Sequence, residues 1–126
     1  MSLDVEVKGL PRHNYGYGQF NLFRGEIVKA VYGWELYEIW KKRFANDEDV
    51  RKWNEKCNDD LDLFILHSDC DGKLTVSECR KVRNAMKSVE EKIDKSDMSK
   101  EHKQMVNEWY CMFAFCARNR VIMKFN

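Results

Sequence analysis

Apolar side chains recur at steps of three and four along most of this chain, and that spacing commits it to amphipathic helices. The longest runs are Val50, Trp53, Cys57, Leu61, Phe64 and Cys79, Val82, Met86, Val89, Ile93. Phe20, Phe23, Ile27 and Val31 repeat the pattern between Gln19 and Tyr32, and Gly33 follows as a helix stop. Trp34 to Phe44 sets Tyr37, Trp40 and Phe44 on one face. Met105, Trp109, Met112 or Phe113, and Cys116 mark a last helix that Asn119 ends. Capping residues stand where these runs begin. Asn46 precedes an acidic first turn, Thr75 and Glu78 read as a T-x-x-E capping box, and Ser99 precedes the last run.

The two ends change period. Leu3, Val5 and Val7 alternate with charged residues, and Val121, Met123 and Phe125 recur at the same step of two. A period of two predicts strands. Pairing them would tie the termini together. Residues 12–18, RHNYGYG, read as a loop, and residues 94–98, DKSDM, as a polar connector. Residues 61–66, LDLFIL, fit a helix end or a short strand. The expected fold is mainly α: one compact domain over residues 1–126, about five helices, and a short two-stranded pairing of the termini.

Composition narrows the function classes. With 126 residues, four Trp and seven Phe, the chain can bury one core. The 22 basic and 21 acidic side chains nearly cancel. That balance predicts no general attraction to nucleic acid or to an anionic membrane. The five cysteines include no C-x-x-C pair, which suits neither a disulfide framework nor a zinc ribbon. The N-terminus lacks the pattern of a secretory signal. The apolar run from Trp109 to Ala117 is far short of the roughly twenty residues a span needs. A cytoplasmic location with reduced thiols is the expectation.

One segment is chemically unusual. Residues 67–79 read HSDCDGKLTVSEC. Counting from His67, Asp69 is third, Asp71 fifth, Gly72 sixth, Lys73 seventh, Thr75 ninth and Glu78 twelfth. This spacing resembles the calcium loop of the EF-hand family. The resemblance implies calcium or magnesium held by Asp69, Asp71, the Lys73 carbonyl and Glu78. His67 stands where the family has aspartate, and imidazole is a poor ligand for calcium. Asp59 and Asp62 occupy positions that are usually apolar, and no second loop is present to pair with the first.

The opening LFILHSDCDG is also similar to the strand-plus-H-x-D-x-D-G start of DHH phosphoesterases. Its D-x-D-G resembles the nucleophile loop of haloacid-dehalogenase hydrolases, with Asp69 as nucleophile and Asp71 as acid. Both resemblances require an apolar strand before the loop, and the chain lacks the further motifs of either family. Over most of its length, HSDCDG together with YGYGQFNLFR looks like a group of small prokaryotic and phage proteins. That likeness carries a fold and no activity.

The same residues also read as a structural turn. Asp69, Asp71 and Gly72 suit a tight turn, and Glu78 belongs to the capping box. His67 can hydrogen-bond the turn backbone, while Cys70 and Cys79 pack inside. A zinc site from His67, Cys70 and Cys79 is chemically suitable at a non-standard spacing. His13, Tyr15 and Tyr17 beside Arg12 read as a packed surface loop or as base-stacking groups. His102 reads as solvated. The leading expectation is a helical interaction or accessory protein with a protein partner. A divalent-cation module stands second and a metal-dependent phosphoesterase third. Leu66 and Leu74 are expected to anchor the loop.

Overall fold

The computed structural model describes residues 2–57 and 59–126. Its elements run β1 (Ser2–Val7), β2 (His13–Gly16), α1 (Tyr17–Tyr32), α2 (Trp34–Lys41), α3 (Asp47–Cys57), α4 (Asp62–Ile65), β3 (Lys73–Leu74), α5 (Val76–Ser88), α6 (Glu90–Lys95), α7 (Lys100–Asn119) and β4 (Met123–Phe125). The protein is mainly helical, as the apolar spacing predicts. The described residues hold seven helices rather than five. None of them is long and apolar enough to cross a membrane.

The termini pair as predicted, with Val5 opposite Phe125 and Val7 opposite Met123. The sheet is larger than that pair. It is antiparallel throughout, in the order β2-β1-β4-β3. Residues 13–16, read as loop from their Tyr/Gly composition, form the edge strand β2, where Tyr15 faces Leu3. Alternation gives the sheet two faces. Leu3, Val5, Val7, Leu74, Met123 and Phe125 are buried against the helices. Asp4, Glu6, Arg12 and Lys124 stay on the outer side, where Arg12 pairs with Glu6.

An aromatic cluster fills the space between helices and sheet. Phe64 sits at its centre, 4.8 Å from Trp109, 5.4 Å from Phe113 and 5.8 Å from Phe20 between ring centroids. Burial of each such ring contributes roughly 1.5–3 kcal/mol. Within residues 61–66 the chain is helical rather than extended for a packing reason: one turn, α4, drives Phe64 and Ile65 into the core. The three predicted caps form. Asn46 Oδ1 accepts from the Asp49 N–H, Ser99 Oγ from the His102 N–H, and Thr75 and Glu78 close a reciprocal capping box.

Three helix expectations fail for identifiable reasons. The helix read over residues 34–44 stops at Lys41, because Arg43 and Phe44 turn left-handed at φ 60° and 55°. That turn brings Phe44 edge-on to Trp53 at 5.2 Å. The run from Cys79 to Ile93 breaks at Val89 into α5 and α6. Val50, in the first turn of α3, is exposed, and the helix buries only Trp53 and Cys57.

The α3–α4 corner holds a half-buried carboxyl with only one of its oxygens partnered. Trp53 Nε1–H donates to Asp62 Oδ2 at 3.0 Å, while Asp62 Oδ1 is buried without a partner. Burial pushes the Asp62 carboxyl up to about 6, and Asp59 adds to the shift. A folded-state value above the unfolded one favours the fold most at acid pH, and the advantage fades as pH rises through about 6. Asp62→Asn should therefore stabilise the protein by about 1–2 kcal/mol at pH 7.5 and have little effect at pH 4. Urea unfolding at the two pH values measures the difference, and an equal effect at both would refute the assignment.

Candidate functional site

The acidic segment forms a loop between α4 and α5 that is clamped from three sides. From α1, the Arg24 guanidinium reaches under it. Arg24 is only 3% exposed. Its Nη1 donates to the Phe64 carbonyl at 3.0 Å and to the His67 carbonyl at 2.6 Å. Its Nη2 donates to Asn21 Oδ1 at 2.6 Å, and Asn21 Nδ2 donates on to Asp69 Oδ2 at 2.7 Å. Trp40 Nε1–H meets the Ile65 carbonyl at 3.3 Å. The carbonyls that end α4 thus receive side-chain donors from α1 and α2. Burial draws the Arg24 pKa down to about 10, and the charge of Asp69 opposes that shift.

From the sheet, β4 holds the second half of the loop. Gly72 adopts φ +93°, and its carbonyl accepts from the Phe125 N–H at 2.9 Å. Lys73 and Leu74 then pair with Lys124 and Met123. Leu74 is fully buried and anchors the loop as expected. Leu66 does not: it is 46% exposed, and Arg24 takes over the anchoring on that side. From α5, the capping box fixes the exit, with Glu78 Oε1 accepting from the Thr75 N–H at 2.9 Å and Thr75 Oγ1 from the Glu78 N–H at 3.1 Å.

His67 lies across the middle. Its Nδ1 is 2.9 Å from the Ser68 carbonyl and its Nε2 is 3.1 Å from the Lys73 carbonyl. The ring rests on Phe125, centroids 4.2 Å apart. A methyl group at Gly72 would meet His67 Cε1 at 3.3 Å, so glycine serves both the turn and the imidazole. The Lys73 carbonyl, the seventh-position ligand in the calcium reading, here faces an imidazole nitrogen. Ser68, which carried no signal in the sequence, faces the Cys70 and Asp71 N–H groups with its Oγ at 3.3 and 3.4 Å.

The five predicted ligands lie on one loop, each in a different setting. Glu78 is engaged in the capping box, Asp69 is held by Asn21, and Asp71 is exposed. Among the described residues, no three His, Cys, Asp or Glu side chains come together as a metal-ligating group. The zinc trio is also apart in character. Cys70 is exposed, whereas Cys79 is buried and its thiol is pushed well above the ordinary range, first by a hydrogen bond to Cys116 and then by burial. The strand required by both hydrolase resemblances is the helical turn α4. Tyr15 packs on Trp109 at 5.4 Å, and burial raises its hydroxyl to about 12. His102, expected in solvent, is half-buried against Phe23 at 5.9 Å.

Asn21 and Arg24 are the site residues that sequence reasoning passed over. Nothing local marks them, because their partners lie 40 to 48 positions away. Comparison with protein-family models, with curated proteins and with solved structures finds no match, so the geometry alone carries the reading.

Glu78 separates a cap from a metal ligand. Glu78→Gln keeps the box, since glutamine caps as well as glutamate, whereas Glu78→Ala loses about 1 kcal/mol of unfolding free energy. Added calcium should shift the melting temperature of neither variant. A calcium-dependent stabilisation in the parent that Glu78→Gln removes would establish a metal site. Arg24→Met should cost about 3 kcal/mol in denaturant unfolding, because it strands buried carbonyls and frees the Asp69 charge.

Proposed function

We propose that this chain is a small binding or accessory module that docks on another protein through the face shared by α1 and α2, and that the acidic loop is a structural strut behind it. The observation that carries this reading is Trp34, the most exposed of the large hydrophobic residues at 64%. An exposed Trp carries a large solvation cost and is a residue type enriched at binding hot spots. Leu22, Glu26 and Lys29 share one face of α1 by helical spacing, Lys29 lies over the Trp34 ring, and Leu22 is also exposed. The loop supports the reading from the other side, since Asp69 is bonded to Asn21 of α1 and Glu78 to the capping box of α5.

A second reading remains as a proposal. The loop runs from a helical turn through Gly72 to a short strand and a capped helix, the order of elements in an EF-hand, which favours a divalent-cation module. The Glu78 pair of variants above tests it.

For docking, a photo-crosslinking amino acid placed at position 22 should give a discrete adduct in extract of the native host, while the same group at Lys8 on the sheet side gives none. Trp34→Ala should reduce the adduct at position 22 at least several-fold. Equal, diffuse labelling from both positions, unchanged by Trp34→Ala, would refute this face as the docking surface.

A further inference from the structure

The α1–α2 corner contains a built cation site that is occupied by the protein's own side chain. Lys29 Nζ lies 4.3 Å from the Trp34 ring centroid and 4.7 Å from that of Tyr37. The two rings stand at 88° with centroids 5.7 Å apart. Glu26 Oε1 closes a third side, 3.0 Å from the ammonium. The Lys29 and Glu26 side chains are only 18% and 21% exposed. Two aromatic faces at a right angle and one carboxylate make a cage suited to an organic cation.

Two glycines build the cage. Gly33, at φ +93°, turns α1 into α2 within one residue, which returns Trp34 over Lys29. Gly25 lets α2 approach so closely that a methyl group there would meet Tyr37 Cε1 at 3.0 Å and Trp40 Cζ3 at 3.1 Å. Tyr37 is thereby pressed against the turn of α1 that carries Glu26 and Lys29. Lys41 also lies over the Tyr37 ring, more distantly, at 5.9 Å.

We propose that Glu26, Trp34 and Tyr37 form a cage for a trimethyl-lysine side chain of a protein partner, and that Lys29 keeps it closed until it is displaced or loses its charge. This rests on the docking reading above and names the partner chemistry of that face. The resident ammonium makes one charged hydrogen bond and turns its remaining surface to the rings, so most of the site interacts through ring faces rather than acceptors. An alkylated ammonium needs no further acceptors and gives up less hydration on entry than a primary one. The choline head of a lipid carries the same cation next to a phosphate, which the Glu26 carboxylate would repel. Lys29 holds the site as a tethered competitor, so removing its charge opens the site.

The test is NMR titration of the Trp34 indole N–H and of the backbone amides of Glu26 and Tyr37, which remain in every variant, with tetramethylammonium, N-acetyl-trimethyl-lysine amide and phosphocholine, against sodium chloride. Lys29→Met and Lys29→Gln should bind the first two saturably, at least about tenfold more tightly than the parent. Phosphocholine should bind more weakly, and Trp34→Ala in the Lys29→Met background should abolish binding. In the parent, saturating ligand should release the ring-shifted Lys29 methylene signals towards free-lysine positions. Overturning results are no saturable shift in either folded Lys29 variant, binding that survives Trp34→Ala, or tighter binding of phosphocholine. If Lys29→Met and Lys29→Gln both unfold and the parent's methylene signals stay fixed at saturation, the proposal also fails. Crosslinks from position 22 that persist after such a failure leave docking standing with another partner chemistry, whereas loss of both removes both.

Discussion

The buried guanidinium of Arg24 is the interaction on which the rest of this structure depends. Removing an arginine from water costs several kcal/mol unless its donors are met. Here three acceptors and one aromatic ring surround it, and only its Nε is left without a partner. The Phe64 and His67 carbonyls end α4, Asn21 lies one turn back on α1, and the Phe20 ring stacks 4.4 Å from the guanidinium carbon. Asp69 supplies the counter-charge through Asn21 rather than by direct contact. One side chain thus fixes where α4 stops, where the acidic loop starts and why that loop carries an aspartate. Phe64 projects into the aromatic core from the same turn, so core and loop share one anchor.

The sheet does the complementary work at the other end of the loop. β4 is the last element in the chain, and β1, its neighbour in the sheet, is the first. Phe125 accordingly does three things at once: it pairs with Val5, donates its N–H to Gly72, and supports the His67 ring. The loop is rigid in the sense that each half is hydrogen-bonded to an element far away in sequence. This long-range closure explains why the terminal strands matter despite their shortness. Two strands alone would be marginal, but four strands with one face on a helical core are self-supporting.

Much of this was legible in the sequence, and the successes share a cause. Helix periodicity, the Asn46, Thr75 and Ser99 caps, the Gly33 stop and the pairing of the termini are all local or pattern-based signals. The failures depend on distant partners. Residues 12–18 look like loop, yet residues 13–16 become strand because β1 offers an edge. Val50 fits its stripe but finds no neighbour to cover it, and Leu66 cedes its anchoring role to an arginine. Arginine reads as surface by default, so no local rule could place Arg24 inside. At the candidate site, spacing located the loop but not the roles of its residues. A carboxylate three residues after threonine serves a helix cap and an ion equally well on paper, and only the position of Thr75 relative to Glu78 shows which bonds it makes.

Two cations of α1 are held by the fold's own groups in different ways. Arg24 and Lys29 are five residues apart, and each lies against an aromatic ring and close to an acidic or amide oxygen. Their settings differ in what holds them. Arg24 is enclosed, forked across carbonyls of another helix, and cannot leave without exposing those carbonyls in the core. Lys29 has a single acceptor, and the Trp34 ring that covers it is mostly open to solvent. An aromatic face attracts any cation that reaches it, whereas a backbone carbonyl at 2.6 Å demands a donor in one place. The same helix therefore carries one cation committed to the fold and one held by forces that a competing cation can match.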